Sequence, residues 1–213
     1  CPKLYFINKF INNHLNQIEG DYVEFGVFKG NSFLTIAYLL SLKNKYIMCH
    51  GFDSFEGFPE DVIDHEFDKI ANFKKFHELG KITDEHYSDV IKLQKHKKFI
   101  NNKYSNNLEH SDLSTNADFK TSLDLVNEIK RKAEYLKLKN LRLNKCNFLD
   151  IESYIDKLPD KISFCLLDVD LYLSYKATLP LVWERLSNNG LIFLDEYYSL
   201  KFPGAKIACD DFI

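Results

Sequence analysis

Short apolar runs that close on an acidic residue or a glycine constrain this chain more than any other feature. Tyr22-Val23-Glu24-Phe25-Gly26-Val27 is β-branched and aromatic and breaks at glycine; Asn31-Ser32 then cap an apolar helix over 33–42. A second run, 46–52, ends at Asp53 and the breaker-rich turn Ser54-Phe55-Glu56-Gly57-Phe58-Pro59. Further strands are predicted over 141–146, over 162–167 ending at Asp168, and over 191–194 ending at Asp195. Helices near 122–136, 151–158 and 174–186 fall between them, with Gly190 as the stop of the last. Ahead of the first strand, Leu4, Ile7, Phe10, Ile11, Leu15 and Ile18 recur at helical spacing up to Gly20. Strands alternating with helices predict an α/β fold, a Rossmann-like, doubly wound and mostly parallel sheet.

The alternation lapses over 60–116, where stretches such as Phe73-Lys74-Lys75-Phe76-His77 and Asn101-Asn102-Lys103-Tyr104 are too polar for a sheet core. Helices and a loop, inserted as a lid above the strand ends, are expected there. Residues 1–213 then form a single domain, with the helix of 1–20 in front. A chain that begins at Cys1 and stops at Phe212-Ile213 inside a helical pattern reads as part of a longer protein.

With 28 basic and 31 acidic side chains and a net charge of −3, no global field would hold a polyanion, so nucleic acid is not an expected partner. No stretch approaches the ~20 apolar residues of a membrane span. Five widely spaced cysteines, Cys49 and Cys165 among them inside apolar runs, suggest a reducing cytoplasm and no zinc site.

Acidic residues close strand after strand, and in an open parallel sheet ligands bind outside the carboxyl ends of the strands. Glu24, Asp53, Asp168 and Asp195 should therefore converge on one crevice. The first turn departs from the dinucleotide fingerprint: Gly26 and Gly30 match its outer glycines, but Phe28 stands where the middle one would let backbone approach a pyrophosphate. A nucleoside ligand without that group fits better, with the Asp53 carboxylate accepting both ribose hydroxyls. Asp168 and the Asp195-Glu196 pair end neighbouring strands roughly 5 Å apart. Oxygen-only ligands of that kind favour Mg²⁺, Mn²⁺ or Ca²⁺.

The motifs Gly20-Asp21-Tyr22-Val23-Glu24-Phe25-Gly26-Val27-Phe28-Lys29-Gly30, Gly51-Phe52-Asp53-Ser54-Phe55-Glu56-Gly57-Phe58-Pro59, Leu167-Asp168-Val169-Asp170-Leu171-Tyr172 and Asn189-Gly190-Leu191-Ile192-Phe193-Leu194-Asp195-Glu196-Tyr197 resemble the macrocin O-methyltransferase family. Pro203-Gly204-Ala205-Lys206 is similar to the turn that family has after its fifth strand. The resemblance implies a class I methyltransferase that uses S-adenosylmethionine and Mg²⁺ to methylate hydroxyls of sugars in natural products. It implies cofactor contacts from Glu24, Gly26, Gly30, Ser32 and Asp53, and metal ligands at Asp168, Asp195 and Glu196. Glu196 departs from the aspartate that the family usually has there. It also implies an antiparallel hairpin closing the sheet after the last helix, which this chain does not reach.

The expected reaction is in-line methyl transfer to a metal-held hydroxyl of a carbohydrate-like acceptor. Asp168 is the first choice of base and a lid histidine, His65, His77 or His86, the alternative; Tyr172 and Tyr197 are equally plausible as pocket lining or as packing. The reading leaves room for a homo-oligomer. Two rivals stand beside it: a glycosyltransferase using Asp168-Val169-Asp170 for a metal and a nucleotide sugar, and a catalytically silent interaction module.

Overall fold

The computed structural model describes residues 2–43, 46–59, 65–104 and 124–213, with backbone only over 100–104. Five strands form one all-parallel sheet in the order β3-β2-β1-β4-β5. They are β1 (Asp21–Phe25), β2 (Cys49–Asp53), β3 (Leu141–Lys145), β4 (Ile162–Leu167) and β5 (Leu186–Leu194). The helices are α1 (Pro2–Asn13), α2 (Asn31–Ser41), α3 (Asn72–Glu78), α4 (Asp84–Tyr104), α5 (Leu125–Tyr135), α6 (Tyr172–Arg185) and α7 (Pro203–Phe212). This is the α/β, Rossmann-like class that the alternation predicts.

Period-two alternation sorts the strands' side chains onto two faces. Tyr22, Phe164 and Leu166 point to a cluster with Ile7 and Ile11 of α1, Phe33 and Ile36 of α2, and Ile129 of α5. Val23, Phe25, Cys165 and Leu167 point to the other, with Phe73 and Phe76 of α3, Val90 of α4, Tyr175 and Val182 of α6, and Ile207 of α7. The central strands are buried on both sides, which is why they read as continuous apolar runs.

Strand order reverses between β1 and β4: α2 carries the chain from β1 to β2 across one face, and α6 carries it from β4 to β5 across the other. Between these diverging connections an open sheet leaves a crevice at its carboxyl edge. The closeness of the two strands there is set by Gly26. It has φ of 89°, and a Cβ on it would lie 1.8 Å from the Asp168 carbonyl oxygen.

Some boundaries differ from those expected. The first helix stops at Asn13, and a short 3₁₀ turn, Leu15–Gln17, carries Leu15 into the core. β2 starts at Cys49, because Ile47 and Met48 lead in as irregular chain while Asp21 and Tyr22 take up the backbone groups of Met48. Gly190 does not stop a helix: α6 ends at Arg185, and Gly190 lies inside β5, where the pairing with β4 shifts register between Ile162 and Phe164. The insertion's described part holds a 3₁₀ turn, Glu66–Asp68, then α3 and α4; its segments 60–64 and 105–123 lie outside the described residues. Among the described residues no helix is long and apolar enough to cross a membrane. Cys49, Cys146, Cys165 and Cys209 are free and buried.

Candidate active site

At the strand-order reversal lies a cavity of 610 Å³. Its walls come from every carboxyl end that meets there: Gly26 to Lys29 with Asn31 and Ser32 after β1, Asp53 to Phe55 after β2, Cys146 to Phe148 after β3, Asp168 to Asp170 after β4, and Glu196 with Ser199 to Phe202 after β5. Phe28, Phe55 and Asp170 on those walls have φ of 48°, 55° and 59°. Such left-handed positions are costly for residues with a Cβ and cluster where a site dictates the backbone.

Glu24 sits on the α2 face of β1, two residues from Tyr22, so both side chains point the same way. Fully buried, it accepts hydrogen bonds from the Tyr22 hydroxyl and, at 2.5 Å, from Ser32 Oγ. Burial pushes its carboxyl up to about 8, against the pull of those two donors. Glu24 is not itself on the cavity wall; Ser32, which it holds, is.

Gly30 starts α2 with φ of 78° and is likewise away from the wall; a Cβ there would press on Ile129 of α5 at 2.8 Å. Asp53 is on the wall, yet both of its oxygens already accept backbone donors: Phe28 N–H at 2.8 Å and Phe55 N–H at 2.6 Å. It thus ties the turn after β1 to the turn after β2, both on the cavity wall. Burial raises its carboxyl and these bonds oppose the rise. The Val27 backbone and the Ser54 side chain add to the same opposition, so the carboxylate is held from several sides.

Asp168, Asp195 and Glu196 do come together: each offers an oxygen, and these lie within 4.8 Å of one another. Asp168 and Glu196 line the cavity; Asp195 is off its wall. Burial raises Asp168, with the charge of Asp195 adding to it and Lys3 opposing. Burial also raises Glu196 strongly, followed by the charges of Asp170, Asp168 and Asp195, while a bond from the Tyr175 hydroxyl at 3.0 Å works the other way. Asp170 is driven up by the same burial and the same neighbours. An all-oxygen donor set so short of positive charge fits a hard divalent cation.

One positive charge at the cluster has no signal in the sequence. Lys3, in the first turn of α1, donates from Nζ to Asp168 Oδ2 and, at 2.9 Å, to Asp195 Oδ2. Burial disfavours its charge, but the two carboxylates outweigh that and raise it above the ordinary lysine value. No local pattern marks Lys3, because its partners lie 165 and 192 residues away. Asn147, Phe148, Ser199, Lys201 and Phe202 also line the cavity without a motif to announce them.

The lid histidines are elsewhere. His65 stacks on Tyr172, His77 pairs with Asp84 and stacks on Tyr87, and His86 is buried with Nε2 on the Ser199 carbonyl. Tyr172 and Tyr197 are also off the wall; Tyr172 packs in the core beside the lid, and Tyr197 donates to Asp210.

The macrocin-O-methyltransferase (TylF) family model matches residues 7–96. The O-methyltransferase NovP shares the fold at 18% identity with a TM-score of 0.63, over 99% of this chain and 70% of that one. The calicheamicin methyltransferase CalS11 does so at 17% identity and 0.63, over the same shares. An apo structure of CalS11, described as a TDP-rhamnose 3′-O-methyltransferase, aligns at 18% identity with a TM-score of 0.56, over 99% of this chain and 69% of that one. No curated protein matches by sequence. The chain resembles the macrocin-O-methyltransferase family over residues 7–96, the stretch that carries β1, its turn and β2, on a fold shared with solved O-methyltransferases.

Proposed function

We propose that this chain is an S-adenosylmethionine-dependent, metal-assisted O-methyltransferase acting on a hydroxyl of a sugar or a similar polyol. The observation that carries the reading is the cavity at the strand-order reversal, which joins the family-matched turn after β1 to carboxylates at the ends of β4 and β5. The likeness to CalS11, a methyltransferase of TDP-rhamnose, supports a carbohydrate-like acceptor.

In this reading the cofactor lies along Gly26, Ser32 and Asp53, with the ribose hydroxyls donating to the Asp53 carboxylate. Glu24 and Gly30 act one layer back: Glu24 fixes Ser32, and Gly30 lets α2 approach α5. Asp168, Asp195 and Glu196 would hold the divalent cation. When bound, that cation supplies Lewis-acid polarisation of the acceptor hydroxyl.

Asp168 is the base. A carboxylate on the wall, raised by burial, takes the hydroxyl proton as the oxygen–methyl bond forms and the sulfur–methyl bond breaks, leaving S-adenosylhomocysteine. The lid histidines, which are off the wall, take no part. Phe28, Phe55, Phe58, Phe148 and Phe202 keep water from the sulfonium.

Calorimetry with S-adenosylhomocysteine, followed by a coupled assay of its release on a panel of nucleotide sugars with Mg²⁺, tests the reading. Micromolar binding and turnover are expected. Binding of a nucleotide sugar without any S-adenosylhomocysteine binding would instead support glycosyl transfer.

A further inference from the structure

Lys3 lies on the stripe of α1 that also carries Ile7 and Ile11, one helical turn apart, so the face that seats α1 on the sheet also delivers Lys3 to the strand ends. Phe10 reinforces that seat by meeting the Phe164 ring of β4 at 5.8 Å. The lysine reaches Asp168 Oδ2 and Asp195 Oδ2, two of the three carboxylates assigned above to a divalent cation. It is not on the cavity wall, so it comes to the cluster from the α1 side while the cavity opens on Asp168 and Glu196.

We propose that Lys3 is a built-in rival of the metal: its ammonium and the divalent cation are drawn to the same two carboxylates, so the cation binds tightly only when the first turn of α1 withdraws its lysine. This rests on the metal reading above. An ammonium and a divalent cation held by the same two carboxylates repel each other at these separations, so each weakens the other's hold. The device makes metal loading and the position of α1 one equilibrium.

The experiment is a Mn²⁺ titration of the whole chain, by calorimetry and by electron paramagnetic resonance of free Mn²⁺. It compares wild type, Lys3→Met and Lys9→Met, a charge-matched control at an exposed position of the same helix. Lys3→Met is expected to bind Mn²⁺ at least about tenfold more tightly than wild type, and Lys9→Met within about twofold. Equal or weaker binding by Lys3→Met, with wild type still binding, overturns the rivalry and leaves the metal reading standing. Binding by none of the three overturns both. Should Lys3→Met fail to fold, wild type alone decides: Mn²⁺ speeds tryptic cleavage after Lys3, followed by mass spectrometry, and an unchanged or slower cut overturns the proposal.

Discussion

Asp68 and Tyr172 are 104 residues apart, yet both carboxylate oxygens of Asp68 lie 3.0 Å from the Tyr172 backbone nitrogen. Tyr172 is the first residue of α6, whose own N-cap, Leu171, has no side chain to offer. The 3₁₀ turn Glu66–Asp68 therefore caps a helix of the main sheet from the insertion. Gly204 makes room for it, since a Cβ there would lie 2.2 Å from Asp68 Oδ1.

The first prediction follows from that cap. Burial lifts the Asp68 carboxyl to about 7, opposed by the Tyr172 bond. A raised folded-state value means that its contribution is fully present below the unfolded value of 3.8 and is lost as pH rises through about 7. Asp68→Asn keeps an acceptor for Tyr172 and has no charge to bury. Its melting temperature relative to wild type should therefore rise between pH 5 and pH 8.5. Asp68→Ala, which orphans the Tyr172 N–H, should cost about 1–3 kcal/mol at pH 5. Thermal melts at the two pH values check both.

Glu24 obeys the same sign rule in a different place. Its carboxyl, buried and lifted to about 8, contributes most below 4.5 and loses that contribution as pH rises through about 8. Glu24→Gln should gain stability relative to wild type steadily from pH 4.5 up to about pH 8 and hold that gain at pH 9. Because Glu24 reaches the cavity only through Ser32, Glu24→Gln should weaken S-adenosylhomocysteine binding by no more than about tenfold, or about 1.4 kcal/mol. A larger loss by calorimetry would mean that Glu24 touches the cofactor itself.

What can be read from the sequence depends on the range of the interaction. Runs such as Ile162 to Leu167 announce strands because they are buried on both faces, and Asp53 and Asp168 fall at strand ends because apolar runs stop there. Asp168, Asp195 and Glu196 could be grouped in advance because neighbouring parallel strands bring their ends together by topology. Lys3 could not, since a surface-type lysine in an amphipathic helix looks the same whether it meets water or two half-buried carboxylates. Gly190 misled for a related reason: it follows a helical pattern at a plausible stop, but the strand takes over from Leu186 and absorbs it in a bulge. The roles drawn for Glu24 and Asp53 were legible as positions, whereas their partners Ser32, Phe28 and Phe55 depend on how two turns fold back.

Gly26 permits a sharp mutational test. A methyl at its Cβ position would lie 1.8 Å from the Asp168 carbonyl oxygen, and φ of 89° is strained for any L side chain. Gly26→Ala should lose more than about 3 kcal/mol or fail to fold, because backbone sits on both sides of the clash. Gly80→Ala, with φ of 71° but nothing within 4 Å of the added carbon, isolates the conformational part. It should cost only about 1 kcal/mol. Chemical denaturation of the two variants measures the difference.

Asp168 is where chemistry and electrostatics separate. Asp168→Asn leaves the cavity's shape and the cofactor's walls along Gly26, Ser32 and Asp53 untouched, so S-adenosylhomocysteine should bind within about fivefold of wild type, or about 1 kcal/mol. Methyl transfer should fall by at least about 10²-fold, since the amide neither takes a proton nor carries the charge that a cation needs. Chelation of wild type with EDTA should give a comparable loss that Mg²⁺ restores, whereas Mg²⁺ should restore nothing in Asp168→Asn. Asp195→Asn removes a carboxylate that is off the cavity wall and shares Lys3 with Asp168. It should lower the activity at limiting Mg²⁺ and recover in part when Mg²⁺ is raised. If instead Asp195→Asn and Asp168→Asn are equally inactive at every Mg²⁺ concentration, Asp168 has no proton-accepting role distinct from holding the cation, and the base must be sought at Glu196 or Asp170 on the same wall.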